Sequence, residues 1–173
     1  MGSYELEILK IARTNKLLTQ SFPDKDETSV GFGYMSIERE DGSYYDVDID
    51  PDFSTLQDVA NQINAANAGL KAMIINTKES LNEDGEENYR LLVVSEKSGK
   101  ASKIYIDPDS TYVEYEEQVQ GQNLEMIFED VKIYNDSNKL TELVPGMVLD
   151  AKKAAPGTKV ILKVDYDVEK TLE

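Results

Sequence analysis

The sequence contains neither cysteine nor histidine among its 173 residues. Their absence excludes disulfide bonds, thiol nucleophiles, the commonest zinc ligands and the Ser-His-Asp triad. The absence of these two residue types therefore excludes most familiar catalytic chemistry.

Basic residues are also scarce, because 18 Lys and Arg stand against 34 Asp and Glu and give a formal net charge of −16. The basic residues are scattered between acidic ones and form no run that could make a contiguous positive patch. A negatively charged surface repels phosphate backbones and anionic lipids. We therefore expect no nucleic-acid partner.

Long apolar runs are missing as well, since the longest, such as 72–75 and 91–94, have four residues. A transmembrane helix needs about 20 apolar residues and a secretory signal about 7 to 15. We expect neither, and no membrane insertion. Hydrophobic residues still make up 40% of the chain, which is enough for a packed globular fold.

The pattern that is present is alternation, which is typical of half-buried strands. Residues 4–8 alternate apolar side chains with glutamate, and 33–40 and 44–50 flank Asp41-Gly42, a dipeptide that favours a type I′ hairpin turn. In the second arm, Tyr45, Val47 and Ile49 are predicted to face inward and the intervening aspartates outward. Further strands are predicted at 70–76, 89–95, 103–107, 124–128, 131–134, 147–151 and 158–168.

One amphipathic helix is predicted over about 55–68. Its apolar residues follow the i, i+3, i+4, i+7 spacing of a single face; they are Leu56, Val59, Ala60 and Ile63. Ser54 with Gln57 matches a capping box, and Gly69 is placed to end the helix. We expect the apolar stripe to pack on the domain's own sheet rather than to bind a partner.

These elements predict an α+β fold, mostly antiparallel β with one short amphipathic helix, in two β-rich lobes. Pro108-Asp109-Ser110 and the acidic segment 114–117 suggest a domain boundary. An inserted lobe is predicted at 31–108, as a hairpin, a helix and a meander. The second lobe then combines 4–30 with 109–168, while residues 1–3 and 172–173 are expected to be vector-derived.

Three patterns that could carry function also have simpler explanations. Asp46, Asp48, Asp50 and Asp52 resemble the start of a calcium loop, but Pro51 and Gln57 occupy the positions of the required Gly and Glu, so a solvated strand face is favoured. Gly31-Phe32-Gly33 is too short for a phosphate loop and is expected to enter a strand. Tyr112 and Tyr115 are the best candidates for exposed contact residues, with half-buried strand positions as the favoured alternative.

Four segments together resemble the IN motif of flagellin-family and hook-associated proteins: 55–64, 68–74, 89–95 and 98–99. Segments 135–140, 144–149 and 159–167 are similar to the region C-terminal to this motif in the flagellar filament cap family. The match covers roughly residues 30 to 168 and is specific in its order. The acidic segments 79–87 and 107–122 depart from the family pattern, so no loop function is transferred.

The resemblance implies the head domains of an oligomeric cap at the filament tip, under which exported flagellin folds and inserts. The family has no catalytic residues, so the resemblance also implies a protein that is not an enzyme and has no cofactor and no metal ligands. It further implies an extracellular protein that is exported through the flagellar secretion channel without a cleaved signal. Its partners would be flagellin and other cap subunits, and some family members contact host surfaces. A secreted adhesion or glycan-binding module and, third, a carboxylate-dependent glycosidase remain as alternatives.

Overall fold

The computed structural model describes residues 2–39, 42–50, 52, 54–77, 88–107 and 111–164. In these ranges the chain forms one α-helix, α1 (Leu56–Ala65), and thirteen strands. The strands are β1 (Gly2–Lys10), β2 (Lys16–Thr19), β3 (Gly33–Arg39), β4 (Tyr44–Ile49), β5 (Leu70–Asn76), β6 (Tyr89–Ser95), β7 (Ile104–Ile106), β8 (Tyr115–Val119), β9 (Leu124–Phe128), β10 (Val131–Asn135), β11 (Lys139–Leu140), β12 (Leu149–Asp150) and β13 (Val160–Val164). All the described strand pairs are antiparallel, which confirms the predicted α+β class.

The chain divides into two compact units. The inserted unit comprises residues 13–122, and the discontinuous unit combines 1–12 with 123–173. The inserted lobe predicted from the sequence, 31–108, is shorter than this inserted unit, because the prediction places the residues of β2 and β8 in the other lobe. Both strands belong to a sheet of the inserted unit, where β2 pairs with β6 and with β8. The acidic segment 114–117, which the sequence suggests as a domain boundary, lies largely in β8. This strand is at the edge of the sheet, where charged residues are common.

Two sheets and α1 build the inserted unit. One sheet has the strand order β5-β6-β2-β8, and the other has β4-β3-β7. The sequence predicts that β5, β6 and β7 form a meander of three strands. This prediction is wrong for β7, which pairs with β3 in the other sheet. The hairpin of β3 and β4 is confirmed; its turn residues 40 and 41 lie outside the described residues.

Helix α1 packs its apolar stripe into the core of the inserted unit, and all four predicted stripe residues are buried. The predicted cap is wrong by one residue. Thr55 is the N-cap: its hydroxyl accepts from the N–H of Asp58, whose carboxylate accepts in turn from the Thr55 N–H at 2.9 Å. Ser54 instead accepts from the Asp50 N–H through its hydroxyl at 2.7 Å. The helix ends at Ala65, before Asn67 and Gly69 turn the chain with φ of 49° and 70°.

The discontinuous unit contains a four-stranded sheet of order β10-β9-β1-β13 and the small pair of β11 with β12. Its core lies on one face of the larger sheet and is formed by Leu6, Ala12, Leu124, Met126, Leu140 and Ala151. Strand β1 includes Gly2 and Ser3, which pair with Val164 and Lys163. The predicted strand 147–151 is shorter than expected, and the part of strand 158–168 beyond residue 164 lies outside the described residues.

Candidate interaction surface

The four aspartates of the calcium-loop pattern do not form one cluster around a common centre. Asp46 and Asp48 lie on exposed positions of β4, beside the buried Val47. Asp50 comes directly after the strand, and its carboxylate accepts from the N–H of Asp52 at 2.9 Å within the turn. Among the residues that the structure describes, no group of three or more carboxylates is arranged to hold a metal ion.

The two tyrosines proposed as a contact pair have different surroundings. Tyr112 is 68% exposed, and its ring lies 4.6 Å from the ring of Phe32. Tyr115 is half-buried and packs against the core, and its hydroxyl donates to the carbonyl oxygen of Ile106. Burial raises the pKa of the Tyr115 phenol, and the nearby Tyr105 adds to the effect. Tyr112 is thus available for contacts, whereas Tyr115 is a packing residue.

Three further exposed tyrosines lie on the outer face of the β4-β3-β7 sheet. Residues alternate between the two faces of a strand, so the burial of Met35, Val47 and Ile106 directs their neighbours outward. We call this outer surface the tyrosine–carboxylate face. It consists of Tyr34, Tyr44, Tyr105, Glu38, Asp46 and Asp48.

Strand register arranges this face in rows. Glu38 lies between two tyrosines, because it is opposite Tyr44 on β4 and opposite Tyr105 on β7. Tyr44 is 73% exposed, and Tyr34 and Tyr105 are each 48% exposed. The remaining opposed pairs on this face are Tyr34 with Asp48 and Ser36 with Asp46. With strands ~4.8 Å apart and same-face residues ~7 Å apart, the rows give a surface roughly 10 by 14 Å.

Two sheet faces differ in how their carboxylates are paired. On the outer face of the discontinuous sheet, two carboxylates make ion pairs: Glu125 contacts Lys10 at 2.9 Å and also Lys132, while Glu5 contacts Lys159 at 2.5 Å. Hydrogen bonds from Lys132 and then Lys10 lower the pKa of Glu125. On the tyrosine–carboxylate face, no carboxylate makes an ion pair with any residue in the described ranges. That face therefore carries uncompensated negative charge.

The alternation of buried and exposed residues in β4 and β7 predicts part of this face. The alternation that directs Tyr45 inward also directs Tyr44 outward, beside the two aspartates. Tyr105, between two buried isoleucines, obeys the same rule. What the sequence could not supply was the pairing of β7 with β3, which adds Tyr105 to the same surface.

The described cavities do not favour the glycosidase alternative. One of about 440 Å³ in the discontinuous unit is bordered by Asp136 and Glu142, and one of about 400 Å³ in the inserted unit by Glu114. All three residues are exposed, whereas a general acid in glycoside hydrolysis needs a partly desolvated carboxyl group.

The helix in the described part of the chain is too short and too polar to span a bilayer.

Comparison with solved structures identifies close relatives of this fold. The crystal structure of the flagellar cap protein FliD from Bdellovibrio bacteriovorus is 34% identical in sequence, with a TM-score of 0.76, and the match covers 94% of this chain and 93% of that chain. The chain belongs to the FliD family of flagellar cap proteins. No family model matches it.

Two further comparisons concern proteins of Escherichia coli. Flagellar hook-associated protein 2 of Escherichia coli K12 is 26% identical over 151 residues, which are 82% of this chain and 32% of that relative. The chain thus spans about a third of the length of the curated relatives it matches. The D2-D3 domains of FliD from Escherichia coli share the fold, with a TM-score of 0.74 at 23% identity, and the match covers 94% of this chain and 88% of those domains.

Proposed function

We propose that this chain forms the head domains of a flagellar filament cap, which sits at the filament tip and promotes folding and insertion of exported flagellin. Support comes above all from the 34% identity to a FliD cap protein over nearly the full length of both chains. Its partners are then flagellin and other cap subunits, and its location is extracellular. Export proceeds through the flagellar secretion channel without a cleaved signal, and the chain is not an enzyme.

The inserted and discontinuous units are proposed to be the two head domains of the cap. This correspondence is supported by the likeness to a pair of domains, D2 and D3, in the Escherichia coli protein. The chain enters and leaves the inserted unit at one place, where Arg13 and Gln122 exchange backbone hydrogen bonds of 2.9 and 3.2 Å.

The isolated chain is proposed to associate weakly with itself. A formal charge of −16 gives like-charged surfaces that repel each other at distances up to the screening length, about 10 Å at 0.1 M salt. Contacts that hold the full-length cap together are then supplied by segments of the protein outside this chain. A further role in contacting host or prey surfaces is compatible with the exposed tyrosines, whereas a free-standing adhesion module is not favoured by the FliD relatives.

The cap function is tested by deleting the gene that encodes this chain and examining the cells by electron microscopy. We expect absent or stubby filaments and monomeric flagellin in the culture medium, both restored by the intact gene. A second strain, in which a short Gly-Ser linker replaces residues 13–122 of this chain, separates the roles of the two units. A short linker suffices because Arg13 and Gln122 are adjacent. Filaments of normal length in the deletion strain would contradict the proposal.

A further inference from the structure

We propose that the tyrosine–carboxylate face is a docking surface for a cationic polypeptide, a protein segment rich in arginine or lysine. The proposal goes beyond the cap function and does not depend on it. The face is a strand surface that carries three tyrosines and three carboxylates, all of them exposed. Nothing in the described part of the chain covers it.

Charge complementarity selects the partner. Glu38, Asp46 and Asp48 make no ion pair within the described residues, and Lys103, which directly precedes β7, makes none with them. Elsewhere in the chain, Glu125 is paired with Lys10 and Lys132. An acidic surface that bears exposed tyrosines is complementary to a cationic segment, whereas a second copy of this acidic chain would be repelled.

The tyrosines add a contribution that simple charge attraction lacks. Tyr44 and Tyr105 flank Glu38 on the neighbouring strands, so a guanidinium or ammonium group paired with this carboxylate lies within reach of an aromatic face. Cations are attracted to the electron-rich face of tyrosine, and arginine also stacks on it. Because tyrosine has few rotatable bonds, it forms such contacts at low entropic cost.

The test measures binding of a fluorescently labelled peptide of alternating arginine and glycine to the 173-residue chain by anisotropy, at about 0.1 M salt. A triple variant with Glu38→Gln, Asp46→Asn and Asp48→Asn should bind about 10-fold more weakly, because three exposed ion pairs are lost. The matched control removes three charges elsewhere, through Glu96→Gln, Glu114→Gln and Glu142→Gln, and should change affinity less than about 2-fold.

A second pair of variants tests the aromatic contribution at constant charge. Tyr44→Thr with Tyr105→Thr should weaken binding about 5-fold, since two cation–π contacts are removed while strand propensity is kept. Tyr134→Thr, at an exposed tyrosine of the other unit, should leave affinity unchanged. Circular dichroism melting curves check that every variant is folded.

Three outcomes would overturn the proposal. Equal weakening by the two charge triples would show only a non-specific attraction of a polycation to an acidic protein. Failure of the wild-type chain to bind the peptide would show that the face does not recognise this chemistry. Displacement of the peptide by a neutral oligosaccharide would make the face a carbohydrate site instead.

Discussion

The backbone N–H of Ile104 donates to the side-chain oxygen of Asn15 at 2.9 Å, across 89 positions of sequence. Asn15 is fully buried, and its side-chain NH₂ donates to Glu117 at 2.6 Å and to the carbonyl oxygen of Val119 at 2.9 Å. One amide therefore joins the start of β2 to β7, which belongs to the three-stranded sheet, and to β8, which belongs to the four-stranded sheet. This side chain connects the two sheets of the inserted unit.

We predict that Asn15→Ala lowers the free energy of unfolding by about 3 kcal/mol, because the buried N–H of Ile104 and the carbonyl of Val119 lose their partner. Urea unfolding followed by circular dichroism measures the change. Asn61→Ala, at an exposed position of α1, is the control and should change stability by no more than about 0.5 kcal/mol. A loss below about 1 kcal/mol in Asn15→Ala would mean that water replaces the amide.

The observed helix cap gives a second prediction. Thr55→Ala should destabilise the chain by about 1 kcal/mol, because the hydroxyl that accepts from the Asp58 N–H is removed. Gln57→Ala, at the position expected from the sequence to complete a capping box, should cost less than about 0.3 kcal/mol, since its side chain only meets Asn61 on the exposed surface. Equal losses in urea unfolding for both variants would contradict the assignment of Thr55 as the N-cap.

The free edge of β5 is blocked by a side chain of α1. Asn64 accepts from the N–H of Ala72 and donates to its carbonyl, both at 2.9 Å. Asn64→Ala should expose this edge and increase the hydrogen-exchange rate of the Ala72 amide by about 10-fold. Asn64→Asp keeps an acceptor and should have a smaller effect. No change in exchange for Asn64→Ala, measured by NMR with Asn61→Ala as control, would contradict a protecting role.

Weak self-association is also open to measurement. At micromolar concentration and low salt, the isolated chain should sediment as a monomer, because unscreened like charges keep copies apart. Raising the salt concentration should increase association, because added ions screen the repulsion between the acidic surfaces. Sedimentation velocity that shows one stable ring at low salt would refute the proposal that other segments of the protein supply the cap contacts.

Much of the local structure could be predicted because burial of one face imposes a period on the sequence. The alternation at 44–49 and the helical stripe ending at Ile63 report which side chains face the core, and both agree with the structure. Strand partners could not be predicted in this way. The pattern of β7, two buried isoleucines around Tyr105, is the same whether the strand pairs with β6 or with β3. Only the contact of Ile106 with Ile37 decides it.

The errors at the helix cap and at the unit boundary have related causes. Ser54 and Thr55 are both residues that favour N-caps, and the choice depends on Ser54 being engaged by the Asp50 N–H, a contact across a turn. The acidic residues of β8 look like a linker in composition, yet Leu18 pairs with Glu116 in the sheet. In both places a tertiary hydrogen bond outweighs the local preference.

The loop after Phe22 supplies a prediction about pH. The hydroxyl of Thr28 and backbone N–H groups of residues 26, 27 and 28 donate to the Asp24 carboxylate, which lowers its pKa from 3.8 to about 2. Because the pKa in the folded state lies below that of the unfolded chain, ionised Asp24 stabilises the fold above pH ~4, and this contribution is lost as the pH falls toward 2.

The hydroxyl of Thr28 makes the largest contribution to that shift. Thr28→Val removes this donor at similar size, so the titration midpoint of Asp24, followed by the NMR shift of its carboxyl carbon, should rise toward 3.8. Thr141→Val, at an exposed site of the other unit, should leave the midpoint unchanged. The stability difference between the wild type and Asp24→Asn should be largest at neutral pH and shrink in acid. A midpoint that is the same with and without the Thr28 hydroxyl would show that the backbone N–H groups alone hold the carboxylate.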